Sequence, residues 1–97
     1  MLSTADLTGA NLSGADLRTA DMLQAVLPSA DLTGAKLAGA SLIGAELYGA
    51  ILSDADLTGA NLSDTNLFGA TVTQSALNSA CGNAGTKLPS GFVISPC

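Results

Sequence analysis

The chain has 97 residues, of which 47% are hydrophobic and 11% charged, and it carries a formal net charge of −5 with no His and no Trp. With Arg18, Lys36 and Lys87 as its cations it lacks the basic footprint that nucleic acid requires, and with no His and the single Glu46 the usual nucleophile–base and metal-ligand sets cannot be assembled. One domain is expected, near the lower size limit at which a single core suffices without help.

From residue 2 to residue 77 a hydrophobic residue returns at every fifth position without insertion or deletion. The sixteen slots 2, 7, 12 and onward to 77 hold Leu, except for Met22 and Val72. The slots two residues earlier, 5 to 75, hold Ala, except for Thr65 and Ser75. The unit reads Ala-Asp-Leu-Thr-Gly at residues 5–9, 30–34 and 55–59. Met1, Leu2 and Ser3 already occupy repeat positions, so the reading expects no N-terminal cap. No basic start precedes an apolar run and no stretch is long enough to span a membrane, so neither a signal peptide nor a membrane contact is expected.

A period of five fits neither regular element. On an α-helix, five residues advance about 140° beyond a full circle, which would scatter the leucines around every side. On a flat strand an odd step sends successive leucines to opposite faces. The remaining solution is a chain that bends once per repeat in a constant sense and points each Leu at a common axis, which is a solenoid. Gly closes many of the units, as at Gly9 and Gly59, where freedom in φ suits a corner.

Tandem Ala-(Asp/Asn)-Leu-x-x over about four fifths of the chain resembles the pentapeptide-repeat family. The resemblance implies an all-β chain, a right-handed quadrilateral parallel β-helix in which four pentapeptides make one coil with Leu and Ala inward. It implies about four coils over residues 1–80, a rod of about 20 Å at the spacing of neighbouring strands. Burying each Leu is worth about 1.5–3 kcal/mol before entropy is subtracted.

In such a coil, residues twenty apart stack on one side. The slot before Leu then reads Asp16, Lys36, Asp56, with a cation between two carboxylates. The slot after Leu reads Thr8, Pro28, Tyr48, Phe68, with Leu23, Ile43 and Val26 around the adjoining corner. These apolar residues at water-facing positions make Leu23, Val26, Pro28, Ile43, Tyr48 and Phe68 a candidate interaction surface.

After Ala80 the texture changes. Residues 81–86 form a loop by their Gly and Asn content, residues 87–91 a turn, and Phe92, Val93 and Ile94 a short apolar run. Residues 81–97 are read as a C-terminal cap over the last coil, with Leu88, Phe92 and Ile94 as its buried members. The tail, Leu-Pro-Ser-Gly-Phe with a following Pro-Cys, is similar to tails of some cyanobacterial pentapeptide-repeat proteins. Cys81 and Cys97 flank the cap, an arrangement suited to a disulfide worth about 3 kcal/mol; a reduced pair in a cytosolic protein is the competing state. The absent leader points to the cytoplasm, whereas a bonded pair would point to the periplasm or the thylakoid lumen.

Motif matches such as the EF-hand-like start at Asp54 or the sequons at Asn11 and Asn61 are by-products of repetition. No cofactor, metal or catalytic residue is expected. The function expected is a non-enzymatic structural or protein-interaction module. The alternative is a DNA-mimicking protein that binds DNA gyrase, as some members of the family do. Association is expected as a homodimer, either through the uncovered Leu2, Leu7 and Leu12 or through the Tyr48 and Phe68 side.

Overall fold

The computed structural model describes residues 2–97; Met1, read above as the first repeat position, lies outside the described residues. Each pentapeptide closes one β-turn. Leu7-Thr8-Gly9-Ala10 is representative: Ala10 N–H donates to Leu7 O at 2.9 Å and Gly9 has a φ of +67°. A positive φ confined to the third residue, with this hydrogen bond, is a type II turn. The turn consumes four of the five residues, so only the residue before Leu is left to pair with its neighbour. Pairing therefore takes the form of isolated one-residue parallel bridges, with no extended strand among the described residues.

The bridges set the register. Asp6 pairs with Val26, Val26 with Glu46 and Glu46 with Asn66, and the same twenty-residue step holds on the other sides. One lap thus contains four bends. The first side holds residues 6–8, 26–28, 46–48 and 66–68; the second holds 11–13, 31–33, 51–53 and 71–73. The third holds 16–18, 36–38 and 56–58, and the fourth 21–23, 41–43 and 61–63.

In a repeat with Asp or Asn before Leu, every backbone N–H has a defined destination. On the first side Leu7 N–H donates to Val26 O, Gly9 N–H to Pro28 O, and Val26 N–H back to Ala5 O. The Ala N–H closes the turn, and the last donor, Thr8 N–H, is taken by the Asp6 carboxylate at 3.1 Å. The Asp or Asn before Leu thus acts as an acceptor for the residue after it. Where Val26 replaces Asp, the residue after Leu is Pro28, which has no N–H to satisfy.

Leu and Ala at the two inward slots form one continuous core from Met22 to Ala80, with Leu27, Leu37, Leu42, Leu47, Leu62 and Leu67 all at 0% exposure. Thr65, an exception in the Ala ladder, is fully buried and donates its hydroxyl to Leu42 O at 2.6 Å. The body and cap together measure 26 × 21 × 19 Å.

The repeat pattern expected to run unbroken to residue 77 is interrupted by a helical turn, α1 (Gln74–Asn78). Here the corner slot is Gln74, not Gly, and the inward Ala has become Ser75. Thr73 caps the turn by accepting the N–H of Ala76 at 3.1 Å, and Leu77 still reaches the core. The ladder then resumes inside the segment read as a cap: Asn61 bridges Cys81 and Asn66 bridges Lys87, the second with a step of twenty-one because of one extra residue in the loop. Thr86 repeats the role of Thr65, donating to Leu62 O at 2.7 Å.

The tail folds back over this end. Gly82 bridges Pro96, and Gln74 holds Val93 at two points, its Nε2 donating to Val93 O at 2.8 Å and its Oε1 accepting Val93 N–H at 3.1 Å. Leu88, Phe92 and Ile94 are half-buried against the core, while Val93 points outward. Cys81 and Cys97 are joined in a disulfide, with Cα atoms 4.7 Å apart.

Candidate interaction surface

The turn geometry sends the residues before and after each Leu outward, so the sides differ only in what these columns carry. On the first side the column after Leu reads Thr8, Pro28, Tyr48, Phe68 from bottom to top. Tyr48 and Phe68 are 56% and 57% exposed, which is high for aromatic side chains on consecutive coils. Around one corner lies Leu23 on the fourth side, 40% exposed, and around the other lies Ile51 on the second side, 39% exposed. Val26, Pro28 and Ile43, also in the expected set, are half-buried. Ile51, which was not in the expected set, occupies the same slot before Leu as Val26 and adds to the exposed apolar surface.

The charges are unevenly distributed around the lap. The third side carries Asp16, Arg18, Lys36 and Asp56, two of each sign. Arg18 grips Asp16 through both carboxylate oxygens at 2.8 Å, and this bond together with the Arg18 N–H lowers the Asp16 pKa to about 2. Lys36, expected between Asp16 and Asp56, is in that register, yet the ion pair among the described residues is the one made by Arg18. A shallow, open depression lined by Asp16, Arg18, Thr19 and Ala38 lies here.

The other three sides and their corners hold Asp6, Asp21, Asp31, Glu46, Asp54 and Asp64, with Lys87 above Asn66 at the top of the first side. The aspartates before Leu are used locally: hydroxyl and N–H donation from Thr8 to Asp6 and from Thr33 to Asp31 holds these carboxyls below their ordinary range, as Thr58 does for Asp56. Among the described residues no group of His, Cys, Asp and Glu could hold a metal ion, and no helix is long and apolar enough to cross a membrane. Asn11 and Asn61, the two sequons, serve as turn acceptors for Ser13 and Ser63 N–H. At the N-terminal end Leu2, Leu7 and Leu12 are half-buried and pack against the core.

Comparison with known proteins agrees with this geometry. A family model described as pentapeptide repeats matches residues 5–42 and 35–74 in eight copies. The crystal structure of a pentapeptide repeat protein from the Arabidopsis thaliana thylakoid lumen is similar at 36% identity and a TM-score of 0.69, covering 93% of this chain and 58% of that one. HetL, a pentapeptide repeat protein involved in heterocyst differentiation regulation in the cyanobacterium Nostoc sp. strain PCC 7120, is 31% identical with a TM-score of 0.58, covering 97% of this chain and 44% of that one. The chain thus spans less than two thirds of either protein. No curated protein matches it.

Proposed function

The chain belongs to the pentapeptide-repeat family, and from that premise we propose that it is a right-handed quadrilateral β-helix of about four coils that works as a non-enzymatic protein-interaction module. The observation that carries this reading is the exposed apolar group of Tyr48, Phe68, Leu23 and Ile51, which lies on a rigid frame and has no packing role in the core. Aromatic anchors of this kind are what protein interfaces bury at their centres. The convex surface, with five of its eight carboxylates (Asp6, Asp16, Asp21, Asp31 and Asp56) taken up by turn donors, offers no enclosed set of groups for acid–base or nucleophilic chemistry. A compartment that keeps Cys81 and Cys97 oxidised, such as the lumen that houses the Arabidopsis neighbour, fits the bonded pair.

A DNA-mimicking, gyrase-binding role has less support, since the third side is charge-balanced and the first presents aromatic rings in place of a continuous acidic track. The test is affinity capture from the source organism with the native chain and with a Tyr48→Ser/Phe68→Ser double variant. A protein retained by the first and lost by the second supports the reading. Identical capture by both overturns it.

A further inference from the structure

The partner's chemistry is written in what surrounds the aromatic pair. We propose that the first side is a docking surface for a basic amphipathic helix of another protein, whose apolar stripe covers Tyr48 and Phe68 and whose bordering Arg or Lys residues meet the carboxylates on either flank. This inference rests on the interaction reading above and gives it a partner class.

Three observations converge on that occupant. The first is shape: Pro28, Tyr48 and Phe68 stack on successive coils about 4.8 Å apart, so the column spans about 10 Å, close to the width of one α-helix. The second is polarity across the surface. Leu23 and Ile51 extend the apolar ground around both corners, while Glu46 stands beside Tyr48 and Asp64 at the corner before Phe68. Asp21 lies further out on the fourth side, Asp31 on the second, and Asp54 at the corner between the second side and the third.

The third observation is segregation of charge. The first side, the two sides next to it and their corners hold six of the eight acids with one cation, Lys87 at the top, whereas the other two cations stand with the remaining two acids on the third side. The body is about 20 Å across, more than twice the screening length of about 8 Å at physiological ionic strength. An approaching ligand therefore feels the acidic flanks and not the molecule's average. A second copy of this chain would bring like charges together at that surface, which argues against self-association there. An Arg in the partner could also stack on either ring.

The experiment titrates the full chain with a synthetic amphipathic helical peptide of Leu and Arg, alongside a peptide in which Ser replaces Leu and another in which Glu replaces Arg. Saturable binding of the Leu–Arg peptide alone is expected, weakening as salt is raised. The Tyr48→Ser/Phe68→Ser variant, whose circular dichroism and melting should be unchanged because both residues are exposed, is expected to lose roughly tenfold or more in affinity. Glu46→Gln with Asp64→Asn should flatten the salt dependence, and Asp56→Asn on the third side should leave it unaltered.

Absence of saturable binding overturns the inference, as does equal weakening by Asp56→Asn. Binding that survives loss of both rings would also overturn it, since charge alone would then be the determinant, as for a surface that imitates a nucleic acid. Dimerisation of the free protein through Tyr48 and Phe68, detected by sedimentation, would assign the surface to a second copy and defeat it as well. If the chain still captures a partner through the two rings while the Leu–Arg peptide neither binds nor competes, the interaction reading stands and this inference falls.

Discussion

In the body of the solenoid, residues 2–72, the same few contacts recur every five residues; in the stretch from residue 73 to residue 97 almost every contact is made once. Leu27, Leu32, Leu37 and Leu42 occupy equivalent slots with equivalent neighbours, and each turn donor has a counterpart on the next coil. Beyond Val72, Thr73 caps α1, Gln74 fastens Val93, and one disulfide ties Cys81 to Cys97. The body derives its stability from nearest-neighbour repetition, so a defect anywhere in the ladder interrupts it. The C-terminal stretch depends on particular residues and should open piece by piece.

The largest effect that would test this contrast is a charge in the ladder. Leu42→Asp places an unpaired carboxylate at a position with 0% exposure, a cost of more than about 5 kcal/mol and comparable with the whole stability of a domain this size. Loss of cooperative melting or insolubility is expected, and an unchanged melting curve would remove the inward assignment. Next in size is the staple. Cys97→Ser, or reduction of the bond, frees a loop with a sequence separation of 16 and should cost about 3 kcal/mol. Amide hydrogen exchange should rise at Gly82 and Val93 while Leu42 stays protected; equal loss at Leu42 would mean that cap and body are one cooperative unit.

A smaller effect, and a gain, is expected at a corner. Thr19 is a β-branched residue at a φ of +58°, where Gly stands in other repeats, and its hydroxyl donates to the adjacent Arg18 O. Thr19→Gly should raise stability by up to about 1 kcal/mol in thermal melting, the strain relieved exceeding the entropy added to the unfolded chain. The converse change, Gly59→Val at a φ of +69°, should be destabilising.

The smallest effect concerns pH. Asp6, Asp16, Asp31 and Asp56 have folded pKa values below the ordinary 3.8, first because of side-chain hydrogen bonds from Thr8, Arg18, Thr33 and Thr58. A depressed folded pKa means that the unfolded chain binds protons first on acidification, so this stability is present above the ordinary carboxylate range and is lost as pH falls through it towards 2. Melting temperature should decline over that window. Asp56→Asn should reduce the decline only slightly, because the contribution is shared along the ladder; a variant that abolished the slope alone would contradict the repetition argument.

Much of the body was legible because its signal is redundant: Leu at every fifth position identifies the inward slots, and Gly after it identifies the corners. Tyr48, Phe68 and Leu23 could be read as exposed for the same reason. Ile51, in the outward slot before Leu52, is legible as exposed on the same ground, although it was not counted with the interaction surface. α1 was hidden because Leu77 keeps the spacing and conceals that Gln74 and Ser75 have replaced the corner and inward residues. The uneven distribution of charge required the order of the sides, which the linear list of acids does not display.

The sequence by itself determined the period, the inward slots and the need for a bend in each unit, because a repeat of five is incompatible with the side-chain periodicity of both helix and strand. Only the tertiary structure decided which residues meet. The twenty-residue pairing was already implied by the family resemblance, but the one-residue bridges, the twenty-one-residue step from Asn66 to Lys87 and the fold-back of residues 83–97 onto Gly82 and Gln74 depend on closure of the lap. Closure is a property of backbone hydrogen bonds between coils, and every residue except Pro offers those bonds alike, so side-chain identity does not encode them.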